Sequence, residues 1–191
     1  MPLQREVDEP KFEKELGWKQ KLAEVALLKD GKDMGVEAGI QESVAAFQVH
    51  GFTTRQSCEG HVAEEGQKQR GLAYPWIEVH VPAPKGYREA AREQRKELDE
   101  QAKGENLQQW RKILELLQEF YEGRATAFDA RLIAEERGTV EGFRVQALGA
   151  HVTAILTFEE KKQKLELYRK EMEDFTAFLK DKYFLTEEKS V

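Results

Sequence analysis

Apolar residues recur at intervals of three or four along several stretches of the chain, which predicts amphipathic helices. The first helix is expected to begin at Pro10 and to continue to residue 28, and the second covers residues 36–49. Two later helices carry the longest apolar seams: Leu107, Trp110, Leu114, Leu117 and Tyr121 in one, and Leu165, Tyr168, Met172, Phe175 and Leu179 in the other. Thr157 and Glu160 have the spacing of a capping box, which predicts where the last helix begins. We expect Leu114 and Phe175 both to be buried.

The stretch over residues 87–103 has helical propensity but few apolar residues, which is typical of a solvated helix. Gly104 is expected to end it before the next helix begins. Residues 87–122 therefore form a helical segment that is partly exposed to solvent. At the other end of the chain, the polar composition of residues 1–9 indicates a flexible tail.

Alternation of apolar and polar residues predicts strands at residues 52–56, 76–81, 130–136 and 143–148. In the second of these, Ile77 and Val79 alternate with Trp76, Glu78 and His80, so we expect an aliphatic face in the core and a polar face towards a ligand. Residues 62–73 are polar and contain glycine, which favours a loop, and residues 137–142 form the turn of a hairpin. The prediction is a single α+β domain over residues 1–191, with a small mixed or antiparallel sheet of about four strands packed with long helices.

Composition narrows the classes of protein to which the chain can belong. A chain that is 40% hydrophobic and 35% charged has enough apolar residues for a folded core. The net charge of −6 argues against broad capture of nucleic acid, which leaves nucleic acid as a partner only through a local basic patch. No apolar run is long enough to span a membrane, and the single cysteine excludes an internal disulfide. These features favour a cytoplasmic protein.

Chemistry-bearing residues concentrate in residues 52–61, which contain the only cysteine. Cys58 and His61 are separated by two residues, a spacing at which one turn can direct a thiolate and an imidazole at a single point. Gly60 between them permits the tight backbone that such a turn needs. If the first two strands are neighbours, His80 can join this pair. Cysteine and two histidines around an open fourth position would form a catalytic zinc site.

Three other interpretations of the same residues stay open. Cys58 can be a nucleophile, with His61 or His80 as the base and Glu59 or Glu78 as the orienting carboxylate. The loop can instead bind a substrate or an anion without catalysis, through Thr53, Thr54, Arg55, Ser57 and loop amides. Finally, Cys58 can be a small buried hydrophobic residue beside a hydrogen-bonded histidine, which is the usual role of a lone cysteine.

The motif also resembles a known family. Residues 53–61, Thr-Thr-Arg-Gln-Ser-Cys-Glu-Gly-His, followed by Trp76 and His80, are similar to the Thr-Thr-x-x-Ser-Cys-x-Gly-Arg and later Trp…His layout of wybutosine-synthesis methyltransferases, which act on transfer RNA. The same stretch resembles Ser-Cys-Glu-Gly-His motifs in uncharacterised bacterial and phage proteins. The chain departs from the methyltransferase layout at His61, where that family has arginine. The resemblance implies that a pocket for S-adenosylmethionine or the modified base would be lined by Ser57, Cys58, Gly60, Trp76 and His80.

The expected function is therefore a small-ligand or catalytic site in the loop that contains Cys58, with zinc or S-adenosylmethionine as the implied cofactor. One alternative is a ligand-binding or regulatory module without turnover. Another is an interaction protein in which the long charged helices matter and the loop is structural. The sequence leaves the oligomeric state and the reaction open.

Overall fold

The chain forms a four-stranded antiparallel sheet, which confirms the α+β class. The computed structural model describes residues 9–29, 33–64, 67–68, 71–137 and 142–186. The strands are β1 (Thr54–Cys58), β2 (Trp76–Val79), β3 (Leu132–Glu136) and β4 (Phe143–Ala147). Their order in the sheet is β1-β2-β4-β3, so β2 and β4 lie at the centre. The hairpin of β3 and β4 is confirmed, and most of its predicted turn falls outside the described residues.

Four α-helices account for most of the remaining described residues. They are α1 (Glu9–Leu27), α2 (Gln41–Val49), α3 (Arg92–Tyr121) and α4 (Phe158–Leu185). Short 3-10 helices cover Ala38–Ile40, Phe128–Ala130 and Leu148–Ile155. Glu9, predicted to end the flexible tail, is the first residue of α1, and the rest of that tail lies outside the described residues.

All four helices contribute to one apolar core on one face of the sheet. Val25 of α1, Phe47 of α2, Ile113 of α3 and Phe175 of α4 are fully buried in a cluster that also holds Ile77 and Val79 of β2. The aliphatic side of β2 therefore faces the core, as its alternation predicts. The alternate residues of the same strand point away from the helices.

The beginning of α4 is fixed by its capping box, as predicted. The Thr157 hydroxyl accepts a hydrogen bond from the Glu160 N–H, and the Glu160 carboxylate accepts one from the Thr157 N–H at 2.8 Å. Every residue of the predicted α4 seam is buried: Leu165, Tyr168, Met172, Phe175 and Leu179. Packing of this stripe, together with the cap, explains how a helix with many charged residues is held against the sheet.

Helix α3 differs from its prediction in two respects. It continues through Gly104, because a single glycine costs a helix only about 1 kcal/mol and does not by itself end one. Leu114 is 46% exposed and Leu107 is 50% exposed, so the expectation that Leu114 is buried is wrong. The buried stripe is set by Ile113, Leu116, Leu117 and Phe120 instead. In the N-terminal half, only Ala102 and Asn106 are buried, which agrees with a partly exposed segment.

Three element boundaries also shift. Strand β1 was predicted over residues 52–56 and covers Thr54–Cys58, because its ladder with β2 pairs Cys58 with Trp76. Strand β2 ends at Val79, two residues before its predicted end. Helix α2 begins at Gln41, after the 3-10 turn that carries Ile40. The shift of β1 places Cys58 inside the sheet, and this position decides what surrounds its thiol.

No helix among the described residues has the length and apolar composition needed to cross a membrane.

Candidate metal centre

Gly60 forms the turn that brings Cys58 and His61 together. Its φ of +82° lies in the left-handed region, and a Cβ there would come within 2.6 Å of the Leu165 Cδ1 atom and 2.7 Å of the Tyr74 carbonyl carbon. Only glycine fits this position without displacing the backbone. Within the turn, the Gly60 N–H donates to the Cys58 Sγ atom over 3.4 Å. The Cys-x-x-His spacing thus produces the tight turn that the sequence predicts.

Arg169 of α4 holds the backbone of this turn. Its Nε atom donates to the Glu59 carbonyl oxygen at 3.0 Å, and its Nη2 atom donates to the Gly60 carbonyl oxygen at 2.8 Å. Two hydrogen bonds from one planar guanidinium fix both the position and the orientation of the loop. The Glu59 carboxylate accepts from the Gly39 N–H at 2.8 Å.

Glu37 is the third member of the site, and it was not among the predicted site residues. Its Oε1 atom lies 2.5 Å from the His61 Nε2 atom, and its Oε2 atom accepts from the Glu59 N–H at 2.7 Å. One ligand atom each from Glu37, Cys58 and His61 lies within 4.8 Å of the others. No local signal marks Glu37 in the sequence, because it precedes α2 and reaches the motif only through the packing of α2 beside β1.

The return of the loop closes over the same residues. A Cβ on Gly71 would lie 2.9 Å from the His61 Cδ2 atom and 3.3 Å from the Cys58 Sγ atom, and the φ of Gly71 is +79°. The next residue, Leu72, accepts a hydrogen bond from the His61 N–H at 2.7 Å. The thiol and imidazole are therefore enclosed by backbone on one side. An open groove of about 570 Å³ is lined by His61, Val62, Ala63, Gln67 and Lys68, so His61 also borders space that a ligand can enter.

Burial raises the pKa of the Cys58 thiol, and the nearby Glu37 carboxylate adds to this effect, while the Gly60 and Leu72 N–H groups oppose it. The thiol therefore stays protonated at neutral pH, whereas a nucleophilic cysteine needs a lowered pKa. This environment disfavours the interpretation of Cys58 as an unaided nucleophile. A metal ion has a different effect, because coordination displaces the thiol proton outright.

His80 is not brought to this cluster. The strands β1 and β2 are neighbours as expected, but they are antiparallel, and Cys58 pairs with Trp76 while the His80 N–H donates to the Thr53 carbonyl oxygen at 2.9 Å. His80 and Cys58 therefore lie at opposite ends of the ladder, on the order of 15 Å apart at ~3.4 Å per residue. The structure places Glu37, not His80, beside Cys58 and His61.

The other predicted binding residues divide into two groups. The Thr53 N–H donates to the Gln109 Oε1 atom at 2.9 Å, and the Thr54 hydroxyl accepts from the Gln48 Nε2 atom at 2.8 Å, so both threonines attach β1 to neighbouring helices. Ser57 is half-buried in β1, directly opposite Ile77. The remaining residues, Arg55, Trp76 and Glu78, lie on the sheet face away from the helices, where Arg144 and Gln146 join them. Arg144 and Gln146 were not predicted as site residues. Their alternation with Phe143, Val145 and Ala147 nevertheless indicates that they lie on the polar face of the strand.

Comparisons of the chain with models of protein families, with curated proteins and with solved structures returned no match.

Proposed function

We propose that this protein binds a transition-metal ion, zinc by its donor set, between Glu37, Cys58 and His61, and presents a small-molecule ligand to that ion. The observation that carries the proposal is the convergence of a thiol, an imidazole and a carboxylate from two separate segments of the chain. Sulfur, nitrogen and oxygen donors of these types are those that Zn²⁺ takes in proteins. Three protein ligands leave one position of a tetrahedral ion open.

The distances support a metal after small adjustments of the side chains. In a tetrahedral zinc site, the ligand atoms lie roughly 3.3–3.6 Å apart. The His61 and Glu37 atoms are 2.5 Å apart, in a direct hydrogen bond that a metal would replace, and the three ligand atoms together span no more than 4.8 Å. The Arg169 contacts to the turn would hold the backbone in place while the side chains rotate.

The groove beside His61 supports a ligand at the open position, since His61 is both a proposed metal ligand and one of the groove's lining residues. Ligand binding is favoured over hydrolytic catalysis. Of the two nearby carboxylates that could act as a general base towards a zinc-bound water, Glu37 would be a metal ligand and Glu59 accepts from the Gly39 N–H. The organic ligand to test first is S-adenosylmethionine, which the motif resemblance implies. The proposed compartment is a reducing one such as the cytoplasm, where a single thiol stays available to a metal.

The decisive experiment is a cobalt titration of metal-free protein, because a Co²⁺–thiolate bond gives a charge-transfer band in the near ultraviolet. We expect one cobalt ion per chain, displaced by zinc, and at least a tenfold loss of affinity in Glu37→Gln, Cys58→Ser and His61→Ala. His80→Ala and Glu59→Gln are the matched controls and should bind cobalt as the wild type does. The proposal fails if the wild type shows no band, or if His80→Ala weakens binding as much as His61→Ala. A thermal-shift measurement with S-adenosylmethionine, with and without zinc, then tests the ligand.

The affinity for zinc should also depend on pH in a defined direction. Because the pKa of Cys58 is raised, the thiol carries a proton at neutral pH, and metal binding must release it. Lowering the pH therefore weakens binding by about tenfold per unit for this one proton, while raising it strengthens binding until the pH reaches the pKa of the thiol. Competition with a chelator of known affinity between pH 6 and 8 measures the slope. An affinity that is independent of pH over this range would show that the thiol is not a ligand.

A further inference from the structure

The sheet face opposite the helices carries polar residues in two rows. The pairing of the strands places Cys58, Trp76, Gln146 and Ile133 side by side in one row, and Gln56, Glu78, Arg144 and Glu135 side by side in the next. Residues that are directly paired in an antiparallel sheet point to the same face, with Cβ atoms about 5 Å apart. Cys58, a ligand of the proposed metal ion, is therefore the first member of a row that continues through Trp76 to Gln146.

A network of charged contacts occupies the second row. The Arg144 Nη2 atom donates to the Glu78 Oε2 atom at 3.0 Å, and Arg55 lies 3.8 Å from the same carboxylate. The Arg144 guanidinium also covers the Trp76 ring, with 3.9 Å between its Cζ atom and the ring centroid. Gln146 donates through Nε2 to the Glu135 Oε2 atom at 2.9 Å. These contacts orient the polar groups, but they do not satisfy all of them.

Buried polar atoms without a hydrogen-bond partner concentrate on this face. Among the described residues, seven buried side-chain polar atoms have no partner, and five belong to the face: Trp76 Nε1, His80 Nδ1, Arg137 Nε, Arg144 Nε and Gln146 Oε1. Gln146 is 2% exposed and Arg144 is 8% exposed, so water at the surface does not compensate them. An unsatisfied buried polar group costs about 1–3 kcal/mol, and several together call for a functional explanation.

Most of these unpaired atoms are hydrogen-bond donors, which favours an anion as the ligand. Trp76 Nε1 and the two arginine Nε atoms are hydrogen-bond donors only, whereas Gln146 Oε1 is the single atom that only accepts. Two of the unpaired donors belong to the cationic side chains Arg137 and Arg144. An arginine side chain and an indole N–H are suited to an oxyanion, because they present fixed N–H groups to its oxygen atoms.

We infer that this polar face binds an oxyanion, a carboxylate or a phosphate group, between Arg144, Trp76 and Gln146. The Arg144 Nε and Trp76 Nε1 atoms donate to its oxygens, and Gln146 Oε1 accepts from a hydroxyl or N–H group of the same ligand. Trp76, the first residue of β2, and His80, which directly follows the strand, are only partly buried and give access to the deeper atoms. The inference does not depend on a metal, but the pairing of Trp76 with Cys58 would let one ligand reach both sites.

The indole N–H resonances provide a direct test, because the chain has three tryptophans, Trp18, Trp76 and Trp110. Metal-free protein, separated from chelator and held in Tris chloride at constant ionic strength, is titrated with sodium phosphate and, in parallel, with sodium acetate. We expect a saturable shift of the Trp76 indole signal, assigned with Trp76→Phe, while the Trp18 and Trp110 signals stay unchanged. Tighter binding of phosphate than of acetate identifies a phosphate site, and the reverse identifies a carboxylate site.

Matched variants separate the proposed site from general charge effects. Arg144→Gln and Gln146→Glu should weaken the anion at least tenfold, whereas Arg55→Gln, which removes the other cation beside Glu78, should change affinity by less than twofold. Dispersion of the Trp18 and Trp110 signals reports whether each variant is folded, and Gln146→Glu decides the question if Arg144→Gln does not fold. The inference is overturned if neither anion gives a saturable shift of the Trp76 signal, or if Arg55→Gln loses as much affinity as the other variants. Because the protein is metal-free, these outcomes are independent of the cobalt titration.

Discussion

The two faces of the central strands β2 and β4 are both buried, yet they differ in chemistry. Ile77 and Val145 on the helix-facing side are 0% exposed, and Glu78 and Arg144 on the opposite side are 8% exposed. The first face gains stability by removing apolar area from water. The second must offset the desolvation of charges with ion pairs, and several of its atoms remain unpaired. Stability alone explains the first face, whereas the unpaired atoms of the second are the reason for proposing that it binds a ligand.

The largest effect is expected from the helix-facing side. Phe143 is 0% exposed and packs edge-on against Trp110 and Phe52, with ring centroids 5.8 Å and 6.5 Å apart. Phe143→Ala should lower the free energy of unfolding by about 3–5 kcal/mol, through lost burial and a residual cavity. Denaturant unfolding measures the change, and anion affinity of the folded fraction should stay at the wild-type value. A loss below about 1 kcal/mol would contradict the assignment of this face as the core.

A smaller effect is expected on the polar side, and it should be reversible by a second substitution. Glu78→Ala leaves the Arg144 guanidinium in a buried position without its carboxylate and should cost about 3 kcal/mol. Replacing both partners, as in Glu78→Leu with Arg144→Met, should restore most of that stability because no buried charge remains unpaired. The same double variant should lose anion binding.

Measuring both the free energy of unfolding and the anion affinity of these variants separates the contribution of this face to stability from its contribution to binding. If the double variant is as unstable as Glu78→Ala, the ion pair is a net source of stability, and the contrast between the two faces disappears.

The smallest change in stability is expected at an exposed position of helix α3, in contrast to a buried position one turn away. Leu114 is 46% exposed, whereas Leu117, one turn further on, is 6% exposed in the core. Leu114→Ala should therefore change the free energy of unfolding by less than about 0.5 kcal/mol, and Leu117→Ala, the matched control, should lower it by about 2–5 kcal/mol. Equal losses at the two positions in thermal or urea unfolding would mean that α3 is rotated about its axis relative to the arrangement described.

The error at Leu114 has a physical reason. Apolar residues of α3 at three-four spacing define one stripe through Leu114, but Ile113 and Phe120 define a neighbouring stripe that overlaps it at Leu117. Helical periodicity alone does not choose between such stripes, because adjacent positions differ by only about 100° around the axis. The sheet and the aromatic side chains of α4 determine which stripe of α3 is buried. The Phe120 ring of α3 lies 5.1 Å from the Phe175 ring of α4.

Local sequence patterns predicted the structure correctly wherever only neighbouring residues determine it. The alternation of β2 predicted both of its faces, because successive side chains of a strand point to opposite sides. Thr157 and Glu160 predicted the beginning of α4, since the capping box involves only neighbouring residues. Gly60 predicted the turn between Cys58 and His61 for the same reason, since no other residue fits its backbone.

The members of the candidate metal centre show which part of the site the sequence did not predict. The sequence by itself determined that a thiol and an imidazole meet, because two residues separate them and a glycine turn joins them. It could not determine the third member of the cluster, since His80 is a commoner type of zinc ligand than a glutamate and lies closer to His61 in the sequence than Glu37 does. Only the tertiary structure decided this point: the antiparallel ladder carries His80 to the far end of the sheet. The packing of α2 beside β1 brings Glu37, 24 positions from His61, within 2.5 Å of its ring.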